Sequence, residues 1–223
     1  NTIRKHLSKT KGGGLAKILN PAKVFSLIFS DVPGNDLSFI ASGPTVKDKT
    51  TIKDALIIYN KYKLDNLDLQ DNDFTQTPKE TSEFEHVENI LMLSNLTSLN
   101  AMREKAQTLG IKTEIYSDRF QSEANLAGMA LIGKTPNNSL LLAGGETTVK
   151  VKNPKGVGGR NQEVVLASLY ELDGNTTIAS IDTDGWDNSP AAGAIGDTKT
   201  LEKAKKMGLN PHEYLKENNS LVF

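Results

Sequence analysis

The sequence predicts an α/β fold with a largely parallel sheet, on three observations. The spacing of apolar residues switches repeatedly between two and three-to-four, the periods of strand and helix. After about residue 89, strand-sized segments alternate with helix-sized ones, the order that parallel sheets with crossover helices produce. Of 223 residues, 37% are apolar and 24% charged, which supplies enough Leu, Ile, Val and Phe for a core.

The first expected strand is 24–29, Val-Phe-Ser-Leu-Ile-Phe, running into Ser30-Asp31. Thr51, with Asp54 three residues on, reads as the capping box of a helix through Tyr62. From 64 to 82 the chain turns to Asp, Asn, Gln and Thr with one Pro and shows no core face. A boundary is therefore expected near Thr77-Pro78, giving domains 1–77 and 78–223. Next come a strand at 89–94 and a helix capped by Asn95, with Leu96, Leu99, Met102, Ala106 and Leu109 on one face. Gly110 stands where a left-handed cap is expected. Strands at 112–117, 140–143 and 147–151 follow, with a helix at 122–132 between the first two. A helix at 160–170, a strand at 177–181 and two short helices at 198–207 and 211–217 complete the reading.

Lys and Arg number 26 against 27 Asp and Glu, a formal charge of −1. That balance argues against nucleic acid or an anionic membrane as the main partner. Cysteine is absent, which excludes disulfides, thiol catalysis and cysteine-ligated zinc. No apolar run approaches the ~18 residues of a membrane span, and a cytoplasmic setting is expected. The chain starts at Asn1 and ends on Ser220-Leu221-Val222-Phe223, so it reads as an internal piece of a longer protein.

Ligands of open α/β sheets bind beyond the carboxyl ends of the strands. Three such places are unusual here: Ser30-Asp31 through Asp36 with Ala41-Ser42-Gly43-Pro44-Thr45, then Gly144-Gly145-Glu146-Thr147-Thr148, then Asp182-Thr183-Asp184-Gly185-Trp186-Asp187. Glycine lets backbone approach a ligand, and carboxylates there can hold Mg²⁺ or take a proton. Each cluster is equally a turn signal. Gly156-Val157-Gly158-Gly159 opens directly onto Arg160-Asn161-Gln162-Glu163 and an apolar helix, an arrangement suited to an anion gripped by amides and a guanidinium. The alternative is a flexible hairpin with Arg160 on the surface. The basic stretch Arg4 to Gly14, with Lys11-Gly12-Gly13, reads as a solvated charge run or as an anion-binding loop. Gly128 to Thr135 fits the spacing of a phosphate loop, but its variable residues are Met, Ala, Leu and Ile and it continues a helix, so the match is spurious. The three histidines share no metal-ligand spacing, and Trp186 is either core or pocket wall.

Taken in order, Arg4-Lys5-His6-Leu7-Ser8-Lys9, Lys11-Gly12-Gly13, Ser30-Asp31-Val32, Ile40-Ala41-Ser42-Gly43-Pro44-Thr45, Gly144-Gly145-Glu146-Thr147-Thr148-Val149, Gly158-Gly159-Arg160-Asn161-Gln162-Glu163 and Thr183-Asp184-Gly185 resemble the glycerate kinases of the MOFRL type. The resemblance implies the end of a Rossmann-like α/β domain followed by a second α/β domain, with an active cleft between domains. It implies phosphoryl transfer from ATP to D-glycerate with Mg²⁺, 2-phosphoglycerate being the favoured product. The alternatives are an NAD(P)-dependent hydroxypyruvate reductase and a non-catalytic nucleotide- or anion-binding module. On that reading Arg160, Asp184 and Asp187 are expected to be catalytic, Arg160 neutralising phosphate or clamping the glycerate carboxylate, and Asp184 and Asp187 holding Mg²⁺ or accepting the hydroxyl proton. Lys11, Gly12, Gly13, Ser42, Gly43, Pro44, Thr45, Gly145, Glu146, Thr147, Gly158, Gly159 and Asn161 bind substrate or nucleotide, and Asp31 and Asp36 hold the metal. Partners are the small molecules alone, with a homo-oligomer left open. The chain departs from the family pattern at Ser122 and at Asn188-Ser189-Pro190-Ala191.

Overall fold

The computed structural model describes residues 1–223, except the side chains of Asp65 and Asp71. They form two compact units, 1–98 and 99–223. The fold is α/β with parallel strand pairs, as the sequence predicts.

The first unit opens with two short helices where the sequence reading had a basic run, Thr2–His6 (α1) and Gly14–Leu19 (α2). Val24–Phe29 (β1) forms as expected. Ile52–Lys61 (α3) starts on the Thr51 capping box: the Asp54 amide donates to the Thr51 hydroxyl (3.3 Å), and the Thr51 amide to Asp54 Oδ2 (2.8 Å). Val87–Leu93 (β2) pairs in parallel with β1, Leu27 lying opposite Ile90. That pairing bridges the boundary expected at 77/78, which therefore falls inside the first unit. The stretch 64–82 does carry a core face. Phe74 is buried edge-on to Tyr59, ring centroids 6.1 Å apart, beside Ala55. One aromatic among polar residues makes no period, so the pattern hid it.

A buried polar cluster ties this unit together. Asp48, 2% exposed, accepts from Lys5 Nζ (3.0 Å), the Thr50 amide (3.1 Å), the Thr50 hydroxyl (2.8 Å) and the Thr77 hydroxyl (3.2 Å). Fully buried His6 donates from Nδ1 to the Thr75 carbonyl (2.8 Å), and Lys79 Nζ donates to the carbonyls of Asp48 and Thr50. A buried charge is tolerable only when paired and hydrogen-bonded in this way.

Division between the units falls within Asn95–Thr108 (α4). Gly110 at φ +73° provides the expected left-handed cap. Of the apolar face expected on this helix, Leu99 and Ala106 are buried, whereas Leu96, Met102 and Leu109 are exposed. Lys112–Phe120 (β3), Ala124–Ile132 (α5) and Ser139–Gly145 (β4) follow, β3 and β4 pairing in parallel. Arg160–Ser168 (α6) packs on α5 through Val164 against Ala124 and Ala127. Ile178–Ile181 (β5) pairs antiparallel with Gly193–Gly196 (β6), then Thr198–Lys206 (α7) and Pro211–Lys216 (α8) close the unit. The strand expected at 147–151 is reduced to one parallel bridge from Thr148 to Glu123. Conversely β6, with a single β-branched residue between two glycines, gave no strand signal. Among the described residues no helix is long and apolar enough to cross a membrane.

Candidate active site

In the second unit the chain beyond β4, the chain beyond β5 and the start of α6 converge. The glycine loop ahead of α6 is sewn to 217–221: the Val157 amide donates to Asn219 Oδ1 (3.0 Å), and the Leu221 amide to the Val157 carbonyl (3.1 Å). A Cβ on Gly156 would overlap the Glu217 carbonyl, and one on Gly158, at φ +141°, would overlap Ser220. Gly145, at φ +155°, is likewise pressed against Phe120 where β4 pairs with β3. These glycines permit close approach of the protein to itself.

Asp187 does not stand open. It is 2% exposed, with Oδ1 accepting from the Asn161 amide (3.1 Å) and Asn161 Nδ2 (3.2 Å), and Oδ2 from the Gln162 amide (2.8 Å). The helix whose N-cap, Gly159, has no side chain is thus capped from a distant loop. Asn161 in turn accepts from the Ser180 hydroxyl (2.5 Å), and Gln162 Nε2 donates to Ser189 (2.6 Å). Among the described residues the amides of Gly158 and Gly159 make no hydrogen bond.

Arg160, the first residue of α6, presents a half-exposed guanidinium. It is hydrogen-bonded to Glu146 Oε1 and lies 3.7 Å, Nη2 to Oδ2, from Asp182. Burial works against its charge, but the Glu146 hydrogen bond and the charges of Glu146, Asp182 and Asp187 outweigh it and push its pKa up. Burial, then the charge of Asp184, pushes Asp182 up against the pull of Arg160. Asp184 is exposed, its Oδ1 accepting from the Trp186 amide (2.8 Å). Trp186 is 58% exposed and so is not core. In the sequence Asp182 reads only as a strand end; its partnership with Arg160, 22 positions away, carries no local signal.

In the first unit the other two expected stretches also meet. The Gly12 amide donates to the Ser42 carbonyl (2.9 Å), the Gly13 amide to the Gly43 carbonyl (2.8 Å), and the Gly14 amide to the Lys11 carbonyl (3.1 Å). Those amides are spent on backbone rather than offered as an anion cradle. Pro44 accepts from the Ala16 amide, and buried Thr45 donates to Asn89 Oδ1 (2.5 Å). Ala41, Ser42 and Gly43 are consecutively left-handed, at φ +50°, +64° and +60°. Asp31 and Asp36 are exposed, and Asp36 is held below the usual carboxylate range by hydrogen bonds from Ser38. Among the described residues no three His, Asp or Glu side chains gather where they could hold a metal ion.

The remaining motifs are placed as structural. Gly128 to Ile132 lies inside α5, which is not the strand-to-helix turn of a phosphate loop. His86 bonds the Ala16 carbonyl, and His212 stacks on Tyr170 at 4.5 Å. A cavity of about 550 Å³, lined by Glu123, Lys152, Glu163, Tyr170 and His212 among others, contains none of the expected catalytic residues. Burial pushes Glu163 up there, opposed by the hydrogen bond from Asn218.

Residues 139–223 match the MOFRL family, and residues 1–72 a domain of unknown function, DUF4147. A glycerate 2-kinase of Pyrococcus horikoshii is 37% identical over 242 residues, covering 99% of this chain and 54% of the relative. A glycerate kinase of Macaca fascicularis is 32% identical over 286 residues, covering 100% and 71%. A putative hydroxypyruvate reductase of Agrobacterium vitis is 37% identical over 240 residues, covering 99% and 61%. The crystal structure of a glycerate kinase from Thermotoga maritima superposes with a TM-score of 0.82 at 36% identity, covering 99% of this chain and 56% of that one. The chain spans about half the length of the first of these relatives.

Proposed function

The chain belongs to the MOFRL-type glycerate kinase family, and from that premise we propose that it contributes the Arg160 site to an ATP-dependent kinase acting on D-glycerate. The observation that carries the reading is Arg160: a charged fork at the start of a helix, facing the carboxylates Glu146 and Asp182 beyond two strand ends. Phosphoryl transfer asks a protein chiefly for positioning and for neutralisation of spreading negative charge. Arg160 supplies the fork for a phosphate or for the glycerate carboxylate, with the Gly158 and Gly159 amides beside it.

The surrounding carboxylates would repel a bare phosphate, and they suit one that arrives with Mg²⁺. Such an ion keeps its waters and phosphate oxygens and asks only one or two carboxylates of the protein, so a three-residue cage is not required. Asp182 and Asp184 are the carboxylates of the second unit fitted to hold it, and Asp184 is open enough to take the hydroxyl proton instead. Asp31 and Asp36 are the corresponding groups of the first unit. When bound, the ion would neutralise charge on the transferring phosphoryl group. The setting that goes with ATP as donor is the cytoplasm.

A coupled ADP-release assay across several hydroxy acids tests this. Release that requires D-glycerate supports the reading; NADH oxidation by hydroxypyruvate in its place overturns it. The 223 residues alone are expected to turn over slowly, since catalysis falls steeply when part of a positioned constellation is missing. Arg160→Lys keeps the charge but loses the fork, and should already be impaired. Arg160→Ala should lose about 10²–10³ in turnover if the fork meets developing charge. If it holds the glycerate carboxylate equally in ground and transition states, KM should rise instead. Wild-type kinetics for Arg160→Ala would remove the site.

A further inference from the structure

Asp187 stands in sequence where a reacting or metal-bound carboxylate was expected, and its surroundings argue for another task. A general base needs an open lone pair within reach of the proton, and a metal ligand needs an open face. Both oxygens of Asp187 instead face nitrogen donors of α6, and a Cβ on Gly159 would overlap the carboxylate itself. The flanking chain is fastened to the same turn: Asn188 Nδ2 donates to the Gly158 carbonyl (3.0 Å), and Ser189 accepts from Gln162. The Asp187 amide, donating to the Ala191 carbonyl (3.0 Å), closes the loop behind it. The first turn of α6 has orphan amides that must be met, and negative charge is favoured there. Arg160 is the residue immediately before those amides.

We propose that Asp187 is a positioning residue: it fixes the first turn of α6, and thereby the place of the Arg160 guanidinium, without itself binding metal or moving a proton. The functional half of this proposal rests on the reading that Arg160 grips an anion. It accounts for glycine at 159, where any side chain would displace the carboxylate.

The test uses NMR on the chain, with Asp187→Asn and Asp187→Ala compared with Arg160→Ala and the double variant. Asparagine keeps one acceptor oxygen, so it serves as the partial rescue and carries the test should alanine fail to fold. Exchange of the Asn161 and Gln162 amides should speed up, least for asparagine, and the Arg160 Nε–H signal, assigned by its loss in Arg160→Ala, should shift or broaden. Affinity for inorganic phosphate, measured with Mg²⁺ present, should fall by about ten- to a hundredfold, the scale of a lost hydrogen bond to a charged group. Adding Arg160→Ala to Asp187→Ala should cost nothing further. Binding of Mg²⁺ alone should be unchanged. Weakened Mg²⁺ binding by Asp187→Asn with amide exchange unaltered would overturn the proposal in favour of a metal ligand. Undiminished phosphate affinity in Asp187→Ala, where Arg160→Ala does diminish it, would overturn it as well. Failure of the underlying reading looks different: Arg160→Ala leaves phosphate affinity unchanged while amide protection still depends on Asp187, which sinks the anion site and upholds the anchoring.

Discussion

Lys134 stands two residues past the end of α5 with its ammonium 5.3 Å from the centroid of the Tyr116 ring. Removing it forfeits an exposed cation–π contact worth about 0.5–1 kcal/mol. Lys134→Ala should therefore leave nucleotide affinity unchanged and the urea midpoint nearly so; a hundredfold loss of ATP affinity with intact circular dichroism would reinstate the phosphate loop. At this scale the sequence was readable where chemistry is local. Context exposed the false loop, because Met, Ala, Leu and Ile cannot be the variable residues of an amide cradle. Glycine was harder. It reports that something comes close without saying what, and the neighbours of Gly12, Gly145, Gly158 and Gly159 proved to be Thr77, Phe120, Ser220 and Asp187 rather than a ligand. Asp187 could not be assigned its partner either, since 25 residues separate it from the Gln162 amide.

Elements formed mostly where caps and periods announced them, as the Thr51 box and Gly110 show. They were missed where they are short or carry few branched side chains, as in α1, α2 and β6. How elements meet is a tertiary fact, and α5 against α6 illustrates it. Gly128 lies in mid-helix, where alanine would ordinarily gain about 1 kcal/mol. Here a Cβ would overlap the Ser168 hydroxyl and lie 3.0 Å from the Ser168 Cβ, and that hydroxyl is buried and bonded to the Val164 carbonyl (2.6 Å). Packing should win over propensity. Gly128→Ala is expected to lower stability by about 1–3 kcal/mol, the cost of an overfilled contact. Ser168→Ala in the same chain should recover part of that, which a double-mutant cycle in urea can measure. A stabilised Gly128→Ala would mean that the helices separate without cost.

Across the chain as a whole, the cluster around Asp48 is a buried contribution to the response to acid. Burial alone would raise its pKa, yet the Thr50 hydrogen bonds and Lys5 prevail and hold it below the usual carboxylate value of 3.8. A depressed folded pKa gives stability that is present above the unfolded pKa and is lost as pH falls through the folded one. The first unit should thus weaken below about pH 3.9. Asp48→Asn should cost about 3–5 kcal/mol at neutral pH, because Lys5 is left buried without its partner, and should flatten the acid limb. Urea midpoints between neutral pH and pH 3 check both; an unchanged acid slope would move the effect to the exposed carboxylates. The α/β class and its parallel pairs were legible from periodicity, whereas this cluster was not, since Lys5, Asp48 and Thr77 are far apart in sequence and carry no period. The strand pairing has its own consequence. Each sheet among the described residues has two strands, so β1 and β2 each leave one margin of backbone amides and carbonyls unmatched. Phe25, Leu27 and Phe29 stand 56%, 59% and 64% exposed along β1, on a chain whose net charge is −1. Such a margin is the side on which a further extended segment, of the same polypeptide or of another, can add itself as a third strand.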